Sequence, residues 1–376
     1  MKMKFEDGIK LDFDDVLIKP KRSTLATRSG VCIEKAYRYL HSDIRELAVP
    51  IIAANMDTTG TFAMSEALAG FEGGIGMQTA LHKHYSLAEL TKYYKADWRL
   101  NTWFTIGIKE DDVRRLRHIQ KETRFYDNGI SLRCEIGIEK ICIDVANGYQ
   151  KVFVDHVKRI RDEFPYAVIM AGNVCTPEMV SELLISGGAD IVKIGIGPGS
   201  VCATRRITGC GYPQLSAIIE CADAAHGIGG HICADGGCKH AGDVVKAFAA
   251  GADFVMLGGM LAGTDECEGE WEYETLGERH KDGYGYYDGY HHKKKVKKSL
   301  KFYGMSSEAA MNKHSGGMKS YKASEGIVKS VPYKGPAKNV IQEVAGGIRS
   351  ACAYVGAPTL KDLPKCSTFI RVNRTH

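Results

Sequence analysis

Eight short runs rich in Val, Ile and other apolar residues recur along the chain, at 49–55, 73–77, 102–108, 139–146, 167–173, 190–197, 231–237 and 252–259. Each is bounded by Gly, Asn or Asp, the pattern of strands buried on both faces. Helix-like segments lie between them. Residues 176–190 open on a Thr cap, carry Pro at the first helical position and stop at Gly-Gly, and 240–253 and 155–165 repeat the scheme. Eight strands alternating with helices predict the α/β class and a single (β/α)8 TIM barrel spanning residues 1–376. A doubly wound sheet, the competing fold, calls for G-x-G-x-x-G after the first strand, and that motif is absent there.

Polar and Gly-rich residues follow the runs: Asn55-Met56-Asp57, Asp144, Asn173, Asp235-Gly236-Gly237 and Gly258-Gly259. These mark C-terminal strand ends, where barrel active sites form. Beyond the eighth run, 264–301 reads as an insertion that starts acidic, passes through Gly/Tyr turns and ends basic, as a hairpin or excursion would. Residues 302–335 have little periodicity and read as a mobile active-site flap. Residues 339–356 suit the last barrel helix.

The net charge of +5 fits an anionic small molecule and is too mild to argue for nucleic acid. The basic run HHKKKVKK (291–298) lacks interleaved aromatics, and Tyr284, Tyr286, Tyr287 and Tyr290 only precede it. A solvated charged loop is its default meaning. Twelve Cys without a C-x-x-C pair and no apolar leader fit a cytoplasmic protein with free thiols and no membrane span.

The loop after the sixth run, GIGPGSVCATRRITGCG (195–211), offers a backbone cradle for an ion, with Cys202 at its lip. Cys202 is a nucleophile or an inert thiol in a Gly-rich turn; Arg205 and Arg206 nearby would favour its thiolate, and Thr204 could pass protons. The ADGG (234–237) and MLGG (256–259) loops end the seventh and eighth strands, where barrels bind phosphate through backbone N–H groups. Glu325 is a general acid or base if the flap closes, or a surface carboxylate if it does not. Asp144 could hold a polar ligand group or be a buried structural carboxylate.

GIGPGSVCATR followed by GYPQ resembles the catalytic loop of the IMP dehydrogenase and GMP reductase family. Further matching motifs run in order along most of the chain, among them LDFDDVLIKPKRSTLATRS (11–29), IIAANMDTTGTF (51–62), HKHYS (82–86), DVANGY (144–149), FYGMSS (302–307), ASEG (323–326) and GGIRSACAYVGA (346–357). The reductase branch is the better match. No stretch between Asn101 and Lys140 could hold the regulatory CBS pair of the dehydrogenases, and Tyr321 has no adjacent Arg.

That resemblance implies NADPH-dependent reductive deamination of GMP to IMP and ammonia, in purine nucleotide interconversion. It implies a covalent thioimidate on Cys202, with Thr204 and Glu325 managing protons. It assigns substrate binding to Asp235, Gly236, Gly237, Gly258, Gly259, Gly304, Met305, Ser306, Lys322, Ala323, Ser324 and Gly326. It assigns the cofactor to Lys83, Asp144, Val145 and Ala146, with Arg28 and Tyr321 from a neighbouring subunit. A potassium ion would sit at Gly197, Gly199 and Cys202, with Arg205 in the same loop, and the assembly would be a homotetramer. Three departures stand out: Lys322 where the family often has Arg, Ile327-Val328 where it often has Lys-Thr, and a long 264–301 tract. The alternatives are an IMP dehydrogenase lacking the CBS module, a nucleotide- or RNA-binding barrel, and a barrel flavoenzyme.

Overall fold

The structure is a computed structural model that describes residues 5–71, 76–94, 101–124, 138–281 and 287–373. Eight parallel strands close into a barrel in chain order: β1 (Ile51–Ala53), β2 (Gln78–Ala80), β3 (Thr102–Ile106), β4 (Lys140–Asp144), β5 (Val168–Val174), β6 (Ile191–Ile194), β7 (His231–Asp235) and β8 (Phe254–Leu257). Helices α1 (Phe62–Ala69), α2 (Leu87–Tyr94), α3 (Glu110–Arg124), α4 (Lys151–Glu163), α5 (Pro177–Ile185), α6 (Gln214–Gly227) and α7 (Ala241–Ala249) follow the first seven strands, and α8 (Ala337–Val355) is the last.

Six of the eight apolar runs contain their strand, and the run 167–173 covers all of its strand but Val174. The second run does not contain its strand. Residues 73–75 of that run lie outside the described residues, and β2 begins just after it, at Gln78. A polar residue opens this strand because the barrel interior satisfies it: Trp103 Nε1 donates to Gln78 Oε1 at 2.6 Å, and Gln78 Nε2 donates to Glu46 at 2.6 Å. Pro177 starts α5 as expected, but the Thr176 side chain makes no cap bond. It accepts from Tyr149 Oη instead, at 3.2 Å.

Strand residues alternate between two cores. One set packs outward against the helices. The other fills the barrel with Ile52, Trp103, Cys142, Met170, Ile191 and Phe254. An antiparallel pair, Lys35–Arg38 with Arg45–Ala48, plugs the N-terminal end. Tyr37 stacks on Phe254 with centroids 4.3 Å apart and donates to the Asp253 carbonyl at 2.7 Å. Glu46 pairs with Lys140 and accepts from Tyr39 Oη at 2.6 Å. With that end closed, only the C-terminal end is left for a ligand.

After β8, strands β9 (Trp271–Lys281) and β10 (Tyr287–Tyr303) form a long antiparallel hairpin, and β11 (Val328–Pro332) pairs with the last five residues of β10. Tyr284 and Tyr286 lie outside the described residues. The basic run is part of β10. Its Lys297 lies 4.3 Å over the Trp271 ring and 3.3 Å from Asp265.

Asp190 ties the shell to the barrel. Fully buried, it accepts from Arg161 Nη2 at 2.6 Å, Ile169 N at 2.9 Å and His41 N at 2.8 Å. Arg161→Met strips the cation from this carboxylate, and breaking a buried pair by removing one partner costs about 3–5 kcal/mol. The expected result is a lower urea midpoint at unchanged m-value.

Candidate active site

The loop after β6 turns at Gly195 (φ +148°), where a Cβ would stand 2.3 Å from the Asp235 carbonyl oxygen, a space no other residue can use. The turn then tightens as Cys202 N donates to the Gly199 carbonyl at 3.0 Å. Cys202 Sγ lies 3.3 Å from Thr204 Oγ1, and Thr204 Oγ1 donates to Glu325 Oε2 at 2.9 Å. A threonine hydroxyl has one proton, and here it goes to the carboxylate. The thiol is therefore the donor in the sulfur–oxygen contact, and the three side chains form a line S–H, O–H, carboxylate.

Glu325 reaches that line because the segment after the hairpin bridges to the loop, Gly326 opposite Cys202. Ala203 N donates to the Glu325 carbonyl at 2.7 Å, and Ile327 N donates to the Val201 carbonyl at 2.9 Å. Glu325 N in turn donates to the Ser306 carbonyl at 3.2 Å. Ile327 packs on the apolar group of Val201, Ala262 and Phe302, which is why an apolar residue suits that position.

Cys202, Thr204 and Glu325 share a cleft of about 210 Å³ with Asp144, Asp235, Gly236 and Gly304–Ser306. Asn55, Asn173, Gly197 and Gly199 also line it. A second cavity of about 360 Å³ lies beside it, between Ser200, Gly259, Lys239, Lys334 and His240, the residue preceding α7. At Gly259 a Cβ would meet Ser200 Oγ at 2.8 Å, so any side chain there displaces that hydroxyl. Ser200 and Lys334 give this wall a hydroxyl and an ammonium group, Glu343 lines it too, and Lys239 Nζ is paired with Asp14 at 2.8 Å.

One buried cation organises the floor. Lys193 of β6 is 1% exposed, with Nζ 2.6 Å from Asp144 Oδ1 and 3.1 Å from Asp235 Oδ2. Burial opposes the charge on Lys193, and the two carboxylates more than reverse that, holding its pKa well above the usual lysine value. Burial likewise opposes the charge on Asp144, and Lys193, assisted by Lys83, keeps its pKa below the usual value. Asn173 Nδ2 steadies Asp235 at 2.9 Å and leaves its own buried Oδ1 without a partner.

A family model described as the IMP dehydrogenase / GMP reductase domain matches residues 10–376. The chain belongs to this family. Proteins named GMP reductase from Aeromonas hydrophila, Edwardsiella ictaluri and Yersinia pestis are each 50% identical to it over 373 residues, spanning 98% of this chain and 97% of the relative.

The residues that the family resemblance singles out are spread more widely than one cleft. Gly237 lines a neighbouring cavity with Asp12 and Arg205, and Gly258 packs beneath Met56. Val145 and Ala146 continue from Asp144 at the end of β4, half-buried and exposed respectively. Ser324 accepts from Glu308 N at 3.1 Å and donates to the Gly326 carbonyl at 2.9 Å, while Gly326 is buried against Gly304 and Ser307. Lys322, Ala323, Arg28 and Tyr321 are exposed and lie outside the cleft. Arg205 does not serve the thiol as the sequence suggests: its guanidinium is held by Asp12 Oδ2 at 2.9 Å and by the Tyr212 carbonyl, and Arg206 is exposed.

Sequence reasoning missed Lys193, Ser200 and Lys334, and counted Asn173 only as a strand end. Lys193 carried a usable signal, a lone charge inside the apolar run DIVKIGIG. Ser200 and Lys334 carried none, because only folding brings them to Gly259.

Lys193→Met leaves two carboxylates at the barrel mouth without their cation, at an expected cost of about 3–5 kcal/mol near neutral pH. The depressed Asp144 pKa contributes stability above the unfolded carboxyl value of about 4, and loses it as the pH falls through the folded value. Urea unfolding is therefore expected to show a wild-type advantage that shrinks on acidification below about pH 4.

Proposed function

We propose that this chain is a GMP reductase, which converts GMP to IMP and ammonia at the expense of NADPH. The Cys202–Thr204–Glu325 line carries the reading, with the names of the half-identical relatives beside it. The purine C2 of GMP is electron-poor and bears the amino group. Cys202 sulfur bonds to C2, the C2–N bond breaks, and the thiol proton leaves with the amine as ammonia. Thr204 hands that proton along while Glu325 holds the relay in line. A thiol suits the task because it attacks well and leaves well. After reduction at C2 the C–S bond breaks, IMP departs, and the sulfur regains a proton.

Asp235 is suited to the ribose hydroxyls, with Gly236 and Gly237 beside it. The wall of Ser200, Gly258, Gly259 and Lys334 is suited to the 5′-phosphate. Gly304, Met305, Ser306 and the Lys322–Gly326 stretch would cover the nucleotide, as part of a flap over 302–335 that follows an insertion over 264–301.

Bound NADPH supplies the hydride. The residues present fit a nicotinamide: Asp144 is an ionised acceptor lining the cleft, with Lys83 close enough to lower its pKa. Val145 and Ala146 continue that edge. Arg28 and Tyr321, exposed and outside this cleft, fit a role in a neighbouring subunit's cofactor site within a tetramer. The loop also fits a potassium ion, since Gly197, Gly199 and Cys202 offer hard carbonyl oxygens. Arg205 could join them only through its carbonyl, its side chain being spent on Asp12. A cytoplasmic setting is consistent with the cysteines among the described residues being free thiols.

Wild-type protein is expected to consume NADPH only when GMP is present. Cys202→Ala abolishes turnover yet still binds GMP, and Thr204→Val lowers kcat by about 100-fold or more. The assay is absorbance at the NADPH band, with equilibrium GMP binding alongside. NADH formation from IMP, with no NADPH loss on GMP, would move the assignment to IMP dehydrogenase.

A further inference from the structure

The loop between β1 and α1 carries Asp57, which is 5% exposed and does not line the cleft. Its carboxylate collects donors from distant parts of the chain. His84 Nδ1 lies 2.7 Å from Oδ1, while Tyr303 Oη at 2.7 Å and His314 Nε2 at 2.5 Å share Oδ2. An ionised carboxylate only accepts, so both imidazoles present N–H to it. Burial opposes the charge on Asp57, and the hydrogen bonds from His84, His314 and Tyr303 outweigh that, holding the carboxyl well below its usual range.

The three His and Asp donor atoms lie within 4.8 Å of one another, close enough for a metal ion. The orientation argues against one. The His84 and His314 rings stack with centroids 3.4 Å apart and planes 6° from parallel, so their nitrogens address different oxygens and do not converge. Lys313 Nζ, 3.6 Å from Oδ2, adds positive charge where a cation would have to sit. The group is a hydrogen-bonded clasp.

What the clasp holds matters more than its own chemistry. Tyr303 and His314 bracket Gly304–Ser306, the stretch that lines the cleft. Ser307 caps the short helix Glu308–His314, which carries His314 back to Asp57. The Ser306 carbonyl receives the Glu325 N–H at 3.2 Å, and Ser324 Oγ receives the Glu308 N–H at 3.1 Å. Both ends of the lining stretch thus hang on one carboxylate, and Glu325 hangs on the stretch.

We propose that Asp57 is a positioning residue for the reaction. By gripping Tyr303 and His314 it fixes Gly304–Ser306, and through them Glu325, against Thr204 and Cys202. The consequence for turnover rests on the reductase reading above; the grip itself does not. His84 stacks on His314 and keeps its ring turned toward the carboxylate.

The test uses the full chain as wild type, Asp57→Asn, His314→Ala, His314→Gln and Tyr303→Phe. A hydrogen bond to a charged group is worth a factor of about ten to a hundred in the held population. Amide exchange over 304–314 and 324–327 is expected to quicken by about that factor in Asp57→Asn and His314→Ala, while the barrel strands keep their protection. kcat falls with it, and KM for GMP rises by a smaller factor, because Gly304–Ser306 cover the nucleotide while the phosphate wall is untouched. His314→Gln, whose amide N–H can donate to the same oxygen, recovers much of both, and Tyr303→Phe shows the same changes in milder form. Wild-type exchange and kcat in both Asp57→Asn and His314→Ala would overturn the proposal, as would equal losses in His314→Gln and His314→Ala. If wild-type protein shows no NADPH loss with GMP, the reductase reading fails, and the exchange rates alone decide the clasp.

Discussion

Lys193 Nζ is the one positive charge on which the floor of the site depends. It stands at the end of β6 between Asp144 and Asp235, which end β4 and β7. Burial at the edge of the apolar barrel interior opposes the charge on Asp144. The Lys193 ammonium group lies within ion-pair distance of both and, with Lys83, keeps the Asp144 carboxyl below its usual range. The cost of burying that lysine is met by the two partners, and the arrangement holds only while all three remain. The remaining contacts of the site, the Asn173 amide on Asp235 and the Cys202 loop over it, are built on this floor.

Above the floor, the site is assembled from pieces that meet late in the chain. The line from Cys202 through Thr204 to Glu325 needs the segment beyond the hairpin to lie down beside residues 201–203. That segment is held at its far side by the Asp57 carboxylate, which takes both Tyr303 and His314. Floor and cover are therefore each organised by a buried charged side chain contacting several elements. Directional, charge-assisted hydrogen bonds set positions more sharply than apolar contact does.

Much of this was legible from residue order. Six of the apolar runs hold their whole strand and a seventh all but its last residue, because a strand buried on both faces must be apolar along its length. The run at 73–77 misplaced the second strand, because Gln78 is polar and its partners, Trp103 and Glu46, come from elsewhere in the chain. The nearness of Cys202 to Thr204 was legible through local spacing, while their roles came from the family resemblance. The Arg205 contact was misjudged, since nearness in sequence said nothing of Asp12.

By itself the sequence determined the alternation of strand and helix, the polar strand ends that mark one face of the barrel, and the motifs that place the chain in its family. These are local properties, set by period, turn chemistry and residue identity along a short stretch. Only the tertiary structure decided which charges face one another: Lys193 between two aspartates, Glu325 on Thr204, and two stacked imidazoles on Asp57. Such pairings join residues as much as 257 positions apart, as His314 and Asp57 are, and no local pattern encodes them. They follow from barrel closure, which brings all the strand ends to one rim, and from the cost of burying any charge that does not find a partner there.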